Sequence, residues 1–202
     1  MSEGLSRFFK DTYKIAGIAG ISIKLSHKDF ILIDKDNPDS ICGGYFDGKE
    51  LHVAIGRSIK HWLGIFVHES CHMDQWLESS KYWKQTSGNC YSVFSTYFEY
   101  KKDSKKVREA FNRIIRVEAD CEKRTIAKIK LYDLPVNVKK YNREANAYLM
   151  AYTAMHRMGA IVAAVHKVPF LVENMSTKLM QIEDYSLGMT RAYNSLFDEC
   201  FT

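Results

Sequence analysis

His68-Glu69-Ser70-Cys71-His72 is the stretch of this chain best equipped for chemistry. If it is helical, two imidazoles four residues apart share one face about a turn apart, which suits them to one tetrahedral metal ion. The glutamate between them projects to the same side without being forced onto the metal. There it can take a proton from a water bound to that metal. These five residues therefore point to zinc-assisted hydrolysis.

The flanking residues supply the helix. Ser58 suits an N-cap, and the apolar groups of Ile59, Trp62, Leu63, Phe66 and Val67 recur at helical spacing. The pattern continues through Met73, Trp76 and Leu77, so an amphipathic helix is expected over 58–78 with the motif well inside it. The alternative is a surface helix that carries two histidines and an acid by chance. Burying Glu69 and both histidines among so many apolar neighbours without a metal would be costly.

A catalytic zinc keeps three protein ligands and one open position, so a third ligand is needed. A metzincin pattern would put glycine and histidine at the positions held by Gln75 and Glu78, and no histidine lies between His72 and His156. An acid is better placed. Arg113 to Arg124 reads as a second helix, on which Glu118 and Glu122 share a face one turn apart while Asp120 points elsewhere.

With these two segments the chain resembles the gluzincin branch of the zincin metallopeptidases. There, an H-E-x-x-H helix is completed by a glutamate on a later helix, and a second acid four residues on orients a ligand histidine. The resemblance covers 58–78 and, less closely, 111–130. It implies His68, His72 and Glu118 as ligands of Zn2+, Glu69 as general base and Glu122 as the acid behind a ligand histidine. That last role has a physical basis, because a ligand histidine usually donates its other N–H to a carboxylate. The separation of the two segments is longer than in many compact relatives, and position 122 carries Glu where Asp is common.

Cys71, just before the second histidine, is also similar to the motif of the SprT-like proteases. Those proteins use a third histidine downstream, which this chain lacks at a comparable distance. Cys71 itself points off the His68/His72 face and reads as a small buried hydrophobe.

Composition fits one compact enzyme. A chain of 202 residues with 46% hydrophobic content can bury a sizeable core, and no long Pro/Gly/Ser-rich linker divides it, so 1–202 is expected to be a single domain. The opening residues lack the pattern of a secretory signal, and no run of about eighteen apolar residues could span a bilayer. Five scattered cysteines do not suggest a disulfide framework. A cytoplasmic, reduced protein with no membrane partner is the expectation.

The net charge is +5, with basic residues gathered at Lys101, Lys102, Lys105 and Lys106, after Tyr97, Phe98 and Tyr100. Nucleic-acid binding would call for a larger excess beside aromatic platforms. The run more commonly marks a solvated loop or helix start.

The fold class expected is α+β: residues 1–57 mixed, a hairpin-bearing sheet packed on the 58–78 helix, and 104–202 mainly helical. A short helix is expected over 5–16 with Phe8, Phe9 and Tyr13 inward, and strands over 21–25 and 30–33. Strands at 43–46 and 51–55 flank Asp47-Gly48, a hairpin signal. The zincin resemblance implies a strand beside the active-site helix that pairs with an extended substrate, for which 51–55 is the candidate; the alternative is that 51–55 is simply a core strand. A break at Asp133-Leu134-Pro135 precedes a helix from Asn137 to about Met158, a turn is expected at 167–170, and a final helix over 186–200.

Tyr141 and His156 are candidate donors to a developing oxyanion, the alternative for each being a packing residue. His52, His61 and His166 have no partner motif and read as surface or core histidines. The mechanism implied is attack on a peptide or protein substrate carbonyl, Glu69 passing the proton to the leaving amine. The alternatives are a non-catalytic zinc-binding or partner-binding domain, and a DNA-associated protease recruited through the lysine run.

Overall fold

The computed structural model describes residues 2–32, 41–86, 90–159 and 169–181. The chain is α+β, with a small sheet in its first part and helices through most of the rest. It divides into two compact units: 1–80 with 121–136, and 81–120 with 137–202.

In the first unit, helix α1 (Glu3–Ala19) starts at Ser2, whose hydroxyl accepts the Leu5 N–H, and stops at Gly20 in the left-handed region. Its inward stripe is Leu5, Phe8, Thr12 and Ala16. Phe9 is half-buried, whereas Tyr13, expected inside, is 45% exposed. The reason is angular: Phe8, Thr12 and Ala16 step by four residues along the buried side, and Tyr13 lies about 100° round from Thr12.

Strands β1 (Ser22–Ser26), β4 (Gly44–Phe46) and β5 (Glu50–Ala54) form one sheet in the order β1-β5-β4. β1 runs parallel to β5, and β4 is antiparallel to it. The short strands β2 (Ile31–Leu32) and β3 (Ile41–Cys42) pair separately. The hairpin turn works through Asp47, whose carboxylate accepts the N–H groups of Lys49 and Glu50, both at 2.8 Å. Gly48 takes φ +92° there, a conformation closed to most L-residues.

Helix α2 (Ile59–Leu77) packs on β4 and β5. Ser58 stands at its N-cap, with its hydroxyl bonded to His61 Nδ1 at 2.8 Å rather than to a helix N–H. Leu63, Phe66, Val67 and Met73 are fully buried, and the Phe66 ring meets Phe8 edge-on and Phe9 at a tilt. Trp76 and Leu77, expected to continue the apolar face, are partly exposed at the helix end.

The second unit is helical among the described residues. It contains α3 (Lys81–Thr86), α4 (Cys90–Tyr100), α6 (Val138–Met158) and α7 (Pro169–Asn174). Helix α5 (Lys105–Leu131) crosses from this unit into the first. α6 is capped as its sequence suggests, by the Asn137 side chain at its start and by Gly159 at φ +59°. Its core stripe of Ala147, Leu149, Met150, Ala151 and Ala154 packs with Ile115, Ala119 and Leu171. The turn expected at 167–170 gives way, over its described part, to helix: Pro169 opens α7, where its fixed φ and missing N–H cost nothing. Ile33 and the helix expected over 186–200 lie outside the described residues, as does His166.

Candidate metal centre

The site is assembled in the first unit from α2 and the C-terminal part of α5. His68 and His72 lie one turn apart on α2, their rings edge-on with centroids 4.7 Å apart. Each ring is held by its Nδ1. His72 Nδ1 lies 2.8 Å from Gln75 Oε1, and His68 Nδ1 lies 3.2 Å from Glu122 Oε1. An amide oxygen can only accept, so His72 donates through Nδ1–H, and a carboxylate facing His68 Nδ1 favours the same tautomer there. In the neutral form of such a ring the lone pair lies on Nε2.

Gln75, a position read in the sequence only as a missing glycine, has no exposed surface and acts as the anchor for His72. The signal was available: a glutamine three residues after a histidine lies within reach on the same helix face. Lys128 braces the same helix, its ammonium 2.7 Å from Asp74 and 3.0 Å from Ser70 Oγ. Arg124 binds Glu78 at 2.9 Å.

Cys121 joins the histidines, and the sequence offered no spacing that marked it. Its Sγ lies 3.7 Å from His68 Nδ1 and donates to the His68 carbonyl at 3.2 Å. His68, His72 and Cys121 bring one ligand atom each to within 4.8 Å of one another, a group that could hold a metal ion. Cys71 is fully buried. Burial alone would raise its thiol, but the hydrogen bond from Cys121 and the charge of Lys128 bring it below its ordinary value.

Glu69 is buried between the dyad residues on α2 and approaches the sheet edge. A Cβ built on Gly44 would stand 2.8 Å from Ile65 Cγ2, 3.0 Å from the His52 carbonyl and 3.2 Å from Glu69 Cγ. The β4 backbone therefore passes directly over Glu69, and only glycine fits there.

Of the two readings of the 51–55 strand, the core strand holds and the substrate-pairing edge does not. The 51–55 segment is the central strand, hydrogen-bonded to β1 on one side and β4 on the other. Its main-chain groups are already used, so it has no edge to offer. Among the described residues, the outer strand of the sheet next to α2 is β4.

Glu118 is buried one turn before Glu122 on α5. It lies in the part of α5 that belongs to the second unit, as do Tyr141 and His156 on α6. His156 is occupied there: its Nε2 bonds Asp103 at 3.2 Å, and its ring packs on Tyr97 and Phe111. The bond from His156 holds the Asp103 carboxyl below its usual range. Lys101, Lys102, Lys105 and Lys106 are exposed around the start of α5, where the Ser104 hydroxyl caps the Val107 N–H. His61 is exposed, and His52 is buried in the sheet.

Among the described residues, Cys42, Cys71, Cys90 and Cys121 form no disulfide. Among the described residues no helix is long and apolar enough to cross a membrane. Set against known proteins, the chain matches no family model, no curated protein and no solved structure.

Proposed function

We propose that this chain is a zinc-dependent hydrolase that cuts peptide bonds, with Glu69 as its general base. One observation carries the reading: both imidazoles of the dyad are anchored through Nδ1, by Gln75 and by Glu122. Holding two neutral rings in that tautomer on one helix face prepares two Nε2 lone pairs for one cation. Buried polar side chains are costly to order, and a cation is what gives this arrangement a return.

His68 and His72 would hold the ion, with Glu118 as the third ligand in keeping with the gluzincin-like pattern. A zinc ion there would supply the Lewis acidity that activates a water. Glu69 accepts the proton and returns it to the leaving amine. The β4 edge over Glu69 offers main-chain groups to an extended substrate, so that a scissile carbonyl would be presented beside the base.

A second reading is favoured by Cys121. With a thiolate in the ligand set, the same dyad becomes a His2Cys centre, which a fourth protein donor would close into a structural zinc site.

The deciding experiment is metal analysis of the purified chain, followed by chelation and add-back against a mixed peptide library. The hydrolase reading expects about one zinc per chain, and peptide cleavage that is lost on chelation and restored by zinc. Zinc at that stoichiometry with no cleavage of any peptide overturns it in favour of the structural centre, and absence of zinc overturns both.

A further inference from the structure

The opposite face of the sheet carries a second polar constellation that the metal centre does not use. Side chains alternate along a strand. Gly44 and its partner Val53 face α2, so Tyr45 and its partner His52 face the other way. In the parallel β1–β5 register, Lys24 sits opposite His52, and Ser26 sits opposite Ala54 on that same face.

There the Ser26 hydroxyl lies 2.6 Å from His52 Nε2. On the far side of the ring, His52 Nδ1 lies 3.5 Å from Glu50 Oε1. That carboxylate oxygen is itself fixed by the Tyr45 hydroxyl at 2.8 Å. His52 is only 6% exposed, yet its Nδ1 has no hydrogen-bond partner, the Glu50 oxygen lying just beyond reach. A buried ring nitrogen without a bond is a defect for a purely structural histidine. Hydrogen bonds between catalytic groups, by contrast, are commonly long until substrate closes them.

We propose that Ser26, His52 and Glu50 form a second hydrolytic centre, a nucleophile, base and orienting acid that cleaves carboxylic esters through an acyl-serine. The order of contacts is that of an activated nucleophile, with the hydroxyl on one ring nitrogen and the acid behind the other. Ser26 ends β1, and parallel strands place ligands beyond their carboxyl ends. Ser26 is half-buried, so its oxygen is reachable.

The steps balance without a cofactor. Ser26 Oγ attacks the acyl carbon while its proton passes to His52 Nε2. The tetrahedral intermediate collapses by breaking the carbon–oxygen bond to the alcohol, which leaves with that proton. Water then attacks the acyl-serine, His52 again taking the proton, and the acid departs as Ser26 regains its hydrogen. Burial, and after it the charges of Lys24 and Lys28, hold the His52 ring below its ordinary basicity despite Glu50, so it starts as the neutral base. The two lysines also favour an ester whose acid part carries a carboxylate or phosphate.

The test is independent of the metal. The full chain is incubated with diisopropyl fluorophosphate in the presence of a chelator, and adducts are mapped by mass spectrometry. One phosphoryl adduct per chain is expected, on Ser26, and none on Ser26→Ala. His52→Gln should slow labelling by about 100-fold or more, and Glu50→Gln by a smaller factor. Thermal melts confirm that the variants fold, and mapping on the unaltered chain needs no variant at all. No adduct, an adduct confined to another residue, or labelling of folded His52→Gln at the unaltered rate would overturn the proposal.

Discussion

His72 Nδ1 and Gln75 Oε1 lie 2.8 Å apart, and the glutamine that makes this bond is wholly enclosed. The contact sets which nitrogen of His72 carries hydrogen and which carries the lone pair. Glu122 does the same for His68 from another helix, at 3.2 Å. A local contact three residues along and a distant one from α5 thus prepare the two rings identically.

These anchors should act on metal affinity. Gln75→Leu keeps the volume and removes the acceptor, and Glu122→Gln keeps the shape and removes the charge. Each is expected to weaken zinc binding by about 10- to 100-fold while leaving the helix intact. Competition titrations against a chromophoric chelator read this directly, and unchanged affinity in both would refute the anchoring role.

Glu69→Gln separates binding from chemistry. It should retain the zinc stoichiometry of the unaltered chain while peptide hydrolysis drops by about 100-fold or more. Full activity in that variant would remove Glu69 from the role of base.

The third ligand is decided by a pair of substitutions. If Glu118 completes the centre, Glu118→Ala loses zinc, whereas Cys121→Ser retains it. Cobalt substitution adds a second readout, because a thiolate ligand gives an intense near-ultraviolet charge-transfer band that a carboxylate does not. Loss of zinc in Cys121→Ser, with that band in the unaltered chain, would transfer the role to Cys121.

Gly44→Val places a branched side chain where even a Cβ would be 2.8 Å from Ile65 Cγ2 and 3.2 Å from Glu69 Cγ. Overpacking of this kind costs about 1–3 kcal/mol, to be seen as a lowered melting temperature. Because the intruding group meets Glu69 itself, turnover should fall in the fraction that remains folded. An unchanged melting temperature would mean that β4 does not lie against α2 as described.

The pH dependence of stability should carry the mark of His52. Its folded-state pKa lies below the ordinary histidine value, first because of burial and then because of Lys24 and Lys28, with Glu50 opposing. A group depressed on folding contributes stability that is present above its unfolded pKa and lost as pH falls toward the folded one. Between about pH 7 and 5 the melting temperature should therefore fall more steeply in the unaltered chain than in His52→Gln. Parallel curves would show that His52 does not contribute.

Much of the fold was legible because it rests on local rules. Ser2 and Asn137 cap helices through bonds to residues a few positions away, Gly159 ends α6 in the left-handed region, and Asp47-Gly48 makes its turn from its own side chain and backbone freedom. Tyr13 was misplaced because an aromatic side chain suits a core without requiring one, and the direction of the buried stripe depends on what the helix meets. Pro169 suggested a turn because the same fixed φ serves turns and helix starts alike.

The α+β class, the helix that carries His68, Glu69 and His72, and the helical phase that puts Glu122 one turn beyond Glu118 can all be read along the chain. Periodicity decides those, since spacing along one element fixes which side chains share a face. It takes the folded chain to show that Glu122 and Cys121 reach His68, that β5 is interior while β4 lies over Glu69, and that Ser26 meets His52. Strand order and helix docking bring together residues far apart in the chain. They follow from the packing of whole faces, which no local spacing encodes.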